Sequence, residues 1–232
     1  MIKFLAKGLI RDRSRSLFPL LTIIITVTLV IFGIGFMEGA MNNFLQSTAV
    51  ISSGHVKVVT KAYEKESSQL PNDLALFETN KIIQNLSDLY PNYFWTPRIT
   101  FGGLLDTPNE EGDTKEQGPV FGIGIDFHSK TSRQIEIWEL KKYLLHGNLP
   151  KNTNDALIST KLAKQLSVNV GSTITLISTT MDNAFTTYNF EITGIFNLNK
   201  GQVDRQMMLV DISGARQALS LIHISEPTRL PG

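Results

Sequence analysis

From Leu17 to Met37 the chain is apolar almost without a break, and the pattern on either side is of a different kind. No Lys or Arg occurs between Ser16 and Val56, and the one acid in that stretch is Glu38, at the far edge of the run. A helix rises about 1.5 Å per residue and the hydrocarbon core of a bilayer is about 30 Å thick, so roughly 20 apolar residues cross it. The run therefore predicts a transmembrane helix, with its extension, over residues 17–52. A cleaved signal peptide would have an apolar region of about 7 to 15 residues and a small-residue cleavage site. This run is longer, and Glu38-Gly39-Ala40-Met41 is a poor cleavage site, which favours a retained anchor.

Beyond residue 52 the periodicity shortens. His55 to Thr60 sets Val56 and Val58 against Lys57, a strand signal. Asn72 or Asp73 is placed to cap a helix carrying Ile82, Ile83, Leu86 and Leu89 at helical spacing. Tyr93 to Leu105 is aromatic and β-branched, with Pro97 and Gly102-Gly103 marking an edge or bend. Val120 to Ile125 reads as the returning strand across a polar tip. Ile137 to Leu145 looks helical and stops at Gly147. Ala156 to Ile158 is a short strand, and Ser159 caps a helix carrying Leu162, Ala163 and Leu166. Ser172 to Ser178 and Thr186 to Phe196 form a hairpin across Met181-Asp182-Asn183. Gln206 to Val210 gives a last strand and Ile212 to Ala218 a last helix. The predicted fold class is α+β: one amino-terminal transmembrane helix, then a mixed α/β extracytoplasmic domain over residues 53–218.

Charge supplies the orientation. Lys3, Lys7, Arg11, Arg13 and Arg15 cluster before the span, and the first basic residue after it is Lys57. Positive residues stay inside, so these five set a cytoplasmic amino terminus and an exported main domain. Within residues 1–16, Ile2, Leu5, Ala6 and Leu9 fall on one helical face while Lys3, Lys7 and Arg11 recur on another. The stub reads either as an amphipathic helix in the headgroup region or as a plain topogenic tail. Inside the span, Gly33, Gly35 and Gly39 read as a small-residue strip for helix packing in the membrane, with Gly35 and Gly39 at GxxxG spacing.

The rest of the composition mostly excludes. A net charge of +1 over 232 residues gives no reason to expect a nucleic-acid partner. The roughly 180 residues past the span suffice for one or two small lobes. Cysteine is absent, so neither a disulfide framework nor a thiolate metal site is available. His55, His128, His146 and His223 are scattered, with no pair at metal-ligand spacing. Asp106 to Gln117 is acidic but lacks the alternating oxygen ligands and central glycine of a calcium loop, and reads as a solvated hairpin tip. Gly122-Ile123-Gly124 is too short for a dinucleotide fingerprint and opens no helix. No nucleophile elbow, phosphate-binding glycine loop or informative acid pair occurs, so the expectation is no catalytic residue, no cofactor and no metal.

The ordered pieces resemble a known family. The basic stub before one span, followed by Ser53-Gly54-His55-Val56-Lys57-Val58, looks like the amino terminus of the MacB/FtsX-like ABC transporter permeases. Val120-Phe121-Gly122-Ile123-Gly124-Ile125-Asp126 resembles that family's glycine-isoleucine-aspartate strand. Ala156 to Leu166, then Val168 to Leu176 with Gly171 at the turn, resembles its helix and glycine turn before a hairpin. Phe190 to Phe196 fits the strand that follows. The pattern is closest to the lipoprotein-releasing LolC/LolE-type branch, although no proline follows Asp126.

The resemblance implies a periplasmic core domain with a porter lobe and a smaller inserted lobe. It also implies a bacterial inner (plasma) membrane location with the main domain periplasmic or extracellular. The partners it implies are an ABC ATPase subunit, a second permease subunit in a homo- or heterodimer, membrane lipid and a lipoprotein or periplasmic partner. ATP hydrolysis would belong to the separate subunit. Residues 219–232, from Leu219-Ser220-Leu221, resemble a translated sequencing adapter and are read as an artefact that packs weakly. The family continues with three further spans, so the chain is expected to be an amino-terminal fragment. A single-span anchored binding or sensor domain, or an exported hydrolase, are the other classes this sequence allows.

Overall fold

The computed structural model describes residues 13–48, 54, 56–76, 78–108, 114–129, 132–180, 184–198 and 205–221. The chain divides into two units, Met1–His55 and Val56–Gly232. In the first unit, α1 runs from Arg13 to Thr48. Its segment Leu17–Met41, 25 residues with a mean hydropathy of 2.6, is long and apolar enough to cross a membrane. The described side chains are exposed on every side of it, as expected of a helix whose solvent is lipid rather than a protein core. The hydroxyls of Thr22 and Thr26 donate to the carbonyls of Phe18 and Thr22, at 2.8 and 2.7 Å. No hydroxyl proton among these two is left for lipid to satisfy.

The second unit holds short helices α2 (Lys61–Lys65) and α3 (Thr79–Leu89), then strands β1 (Ile99–Pro108) and β2 (Thr114–Ile125). Helices α4 (Gln134–Ile137) and α5 (Leu140–Tyr143) precede β3 (Leu144–Gly147) and β4 (Asp155–Ser159). The chain continues through α6 (Thr160–Gln165), β5 (Thr173–Thr179), β6 (Phe185–Phe196), β7 (Met207–Asp211) and α7 (Ile212–Ala218). The strands form one sheet in the order β3-β6-β4-β7-β2-β1-β5, and β5 also pairs with β6. That last pairing returns the sheet to itself, so β6, β4, β7, β2, β1 and β5 make a closed ring with β3 outside it.

Strand β6 is what closes the ring. Its first half pairs antiparallel with β5, Thr179 opposite Phe185 through Thr173 opposite Glu191. Its second half runs parallel to β4 on one edge and antiparallel to β3. All five residues of β4 and all five of β7 are buried, which is why Ala156–Ile158 and Met207–Val210 within them read as unbroken apolar stretches rather than alternating ones. Phe101, Leu105, Ile158, Leu162, Leu166, Phe190, Met208 and Val210 form the core with Leu219. Closure of such a ring demands close approaches. A Cβ at Gly122 would lie 2.1 Å from the Phe101 ring, so the Gly122-Ile123-Gly124 segment is a packing device of the sheet.

Several sequence expectations hold and several shift. Ser159 caps α6, its hydroxyl accepting Leu162 N–H at 3.2 Å, and the β5–β6 hairpin forms as expected. Val56 to Thr60, expected as a strand, is unpaired; its Val56 and Val58 stay exposed, and the Thr60 hydroxyl instead caps α2 through Tyr63 N–H. The helix expected after Asn72 or Asp73 begins only at Thr79. Asn72–Leu74 is a single 3-10 turn ended by extended Ala75, and Glu78 enters α3 in the left-handed region with no side-chain cap. The helix expected over Ile137 to Leu145 splits into α4 and α5 because Glu139 is left-handed, and Leu144 and Leu145 join β3. The core reaches past the boundary drawn at Ala218: Leu219 is 0% exposed and Leu221 packs against the same cluster. Residues 222–232 lie outside the described residues.

Candidate functional site: the membrane helix and the ends of β2 and β7

In α1, Gly35 and Gly39 are four residues apart and share a face, and a Cβ at either position would meet nothing within 4 Å. Gly33 does not join them. Two residues turn a helix through about 200°, so it lies on the far side from Gly35, and the expected strip reduces to the Gly35/Gly39 pair. Arg13 and Arg15 lie in the first turns of α1. Lys3, Lys7 and Arg11 lie outside the described residues.

In the folded domain, the densest polar arrangement sits where the parallel strands β2 and β7 end. Asp211, buried, is the N-cap of α7: one carboxylate oxygen accepts Ser213 N–H at 2.9 Å and the Ser213 hydroxyl. The other accepts Phe127 N–H at 3.2 Å and lies 3.6 Å from His128 Nε2. Asp126 accepts the N–H groups of His128 and Ser129 at 3.0 and 2.8 Å, and its carbonyl accepts the Ser132 hydroxyl at 2.7 Å. The segment after β2 is thus tied to the start of α7 through one carboxylate. Ser, His and Asp are all present, yet the Ser213 hydroxyl bonds the aspartate. In a nucleophilic relay the histidine stands between serine and aspartate, so this cluster works as a helix cap and loop anchor. Among the described residues, no group of three or more His, Cys, Asp or Glu could hold a metal ion.

A second buried polar region went unread in the sequence. The Arg98 guanidinium lies 4.8 Å from the centre of the Trp138 ring, and burial pushes its pKa down to about 10. It stays charged at neutral pH, with the ring face as one partner. Gln134, on the same helical turn as Trp138, is buried with neither amide atom hydrogen-bonded. An isolated Arg and a lone Gln carry no motif, so only the non-local approach of the residue 98 region to α4 reveals them.

An apolar helix of membrane length feeding a mixed α/β domain with a closed sheet fits a membrane-anchored domain. The family model of the MacB-like periplasmic core domain matches residues 16–229, nearly the whole chain. The chain belongs to that family. No curated protein matches it.

Proposed function

We propose that this chain is the amino-terminal part of a membrane-spanning permease subunit of an ABC transporter, which passes ATP-driven motion to an extracytoplasmic domain. The observation that carries the reading is the family match over residues 16–229, which includes both the apolar helix and the folded domain. The amino terminus lies in the cytoplasm, as the five basic residues before the span favour. Hydrolysis takes place in a separate ATPase subunit. A second permease subunit, identical or homologous, completes the assembly through membrane helices that include the Gly35/Gly39 face.

The continuous helix from Arg13 to Thr48 supports this role. Helical backbone resists bending where no proline or π-bulge interrupts it, and its one proline, Pro19, lies near the cytoplasmic start. A sheet closed on itself moves as a body rather than shearing strand by strand, which suits a domain displaced from its base. The substrate is handled outside the membrane, in lipoprotein release or export, of which the LolC/LolE-type resemblance favours release.

The test is to read the source gene past codon 218 and to purify its product with the ATPase encoded beside it. Three further apolar segments and ATP turnover found only in the joint preparation are expected. A native stop codon at the end of this chain, or ATP turnover by the chain alone, would favour a single-span anchored domain or an enzyme instead.

A further inference from the structure

The surface after α3 has an aromatic character found nowhere in the mechanism above. Residues 89–97 carry no charge: Leu89, Tyr90, Pro91, Asn92, Tyr93, Phe94, Trp95, Thr96 and Pro97. A turn closed by Tyr93 N–H to the Tyr90 carbonyl at 3.1 Å gathers the rings. Tyr90, Tyr93 and Trp95 pack mutually, with centroids 5.9 to 6.5 Å apart. Leu89 is 72% exposed and Tyr93 54%, and Tyr90 and Phe94 are exposed as well. The indole N–H of Trp95 is enclosed and has no acceptor among the described residues. The fold therefore spends rings on its surface that its own core and hydrogen bonds do not use.

We infer that this ridge, Leu89 to Trp95, seats the extracytoplasmic domain in the interfacial layer of the bilayer that its own helix spans. Tyrosine and tryptophan rings with one apolar body and one polar tip are the side chains that settle at headgroup depth. The occupant is decided by the tether. Val56 follows the end of α1 at Thr48 by eight residues, a reach of at most about 28 Å. A bilayer is thus held near the domain at all times, at effective concentrations in about the millimolar range or above for short linkers. Four exposed side chains are far fewer than the about 20 to 30 residues a side in a standard protein interface. A ridge this small binds weakly, and weak binding suffices for a partner that never leaves. The seat steadies the domain on its tether, and the inference does not depend on which leaflet is involved or on an ATPase partner.

The test uses the full chain in vesicles of equal parts phosphatidylcholine and phosphatidylglycerol, with or without bromine on the acyl chains. The chain has two tryptophans, so Trp138→Phe leaves Trp95 as reporter and Trp95→Phe leaves buried Trp138. Brominated lipid should lower Trp95 emission, because an indole at the interface lies within reach of the acyl chains, and leave Trp138 emission nearly unchanged. Adding Leu89→Ser, Tyr93→Ser and Phe94→Ser to the Trp138→Phe chain should abolish the quenching, while unchanged circular dichroism shows that the fold survives. Trp95 quenched no more than Trp138 overturns the inference. So does shielding of Trp95 that grows with protein density in unbrominated vesicles, the mark of a second copy covering the ridge. Either failure leaves the permease reading standing, since that reading is tested by gene sequence and ATP turnover.

Discussion

Leu219→Ala separates the structure from the sequence pattern most sharply. Read as the first residue of a weakly packed tail, Leu219 would tolerate truncation with a change of no more than roughly 0.5 kcal/mol, the scale of surface substitutions. In the structure its side chain is fully buried, in one cluster with Leu166, Phe190, Ala215 and Ala218, and its N–H bonds the Ala215 carbonyl at 3.1 Å. Alanine removes three carbons, about 2.4 kcal/mol at about 0.8 kcal/mol per buried methylene. A residual cavity adds to this, because a ring of paired strands cannot collapse freely, and the total falls in the range of about 2.5 to 4 kcal/mol. The assay is urea unfolding of the full chain in detergent micelles, followed by tryptophan emission, with the change of exposed Lys164 to Ala as reference. A lowered midpoint at unchanged slope is expected. A Leu219→Ala midpoint indistinguishable from the reference would refute the packing argument and return residue 219 to the tail.

Asp211→Ala removes the cap of α7, about 1 kcal/mol, and orphans the buried Phe127 N–H, about 1 to 3 kcal/mol; urea unfolding should show a combined loss of about 2 to 4 kcal/mol. Asp211→Asn keeps one acceptor oxygen and turns the other into an NH2 donor, so it should retain either the Ser213 cap or the Phe127 contact and lose less than Asp211→Ala. Gly122→Ala drives a methyl into the Phe101 ring and should cost about 1 to 3 kcal/mol by overpacking; relief by Phe101→Leu in a double-mutant cycle is the check that the ring is the cause. Reversing the charge of Lys3, Lys7, Arg11, Arg13 and Arg15 together should leave a mixture of inserted orientations, measurable by protease protection.

The legible parts of the fold were those set by local chemistry or by burial on both faces. Met207–Asp211 and Asp155–Ser159 are buried throughout, so their apolar runs stand out without any knowledge of their neighbours. Ser159 announces α6 because a cap is a three-residue affair. What failed depended on distant partners. Val56 and Val58 alternate like a strand, but a strand needs another strand, and no described strand pairs with them. Pairing of β5 with β1 joins residues about 70 positions apart, Leu104 opposite Ile177, and nothing near either residue signals it. Left-handed Glu78 and Glu139 broke two helices at positions where glutamate usually continues one.

Sequence spacing sets the geometry of the membrane helix, whereas the polar cluster of the domain was nearly invisible in it. Length and apolarity are enough to read Leu17–Met41, and GxxxG spacing is enough to place Gly35 beside Gly39. Gly33 lies on another face, since residues two apart on a helix do not share one. Asp211 gave a helix-start signal at most; its grip on the Phe127 backbone, 84 residues away, exists only once β2 and β7 lie side by side.

The central claim is that the basic stub stays in the cytoplasm and the folded domain lies across the membrane from it. Paired reporter fusions measure this directly: green fluorescent protein, active inside, and alkaline phosphatase, active outside, each joined after residue 10 and after residue 150. The account predicts fluorescence only at residue 10 and, downstream of the span, phosphatase activity at residue 150. Fluorescence at residue 150 without phosphatase activity would contradict it.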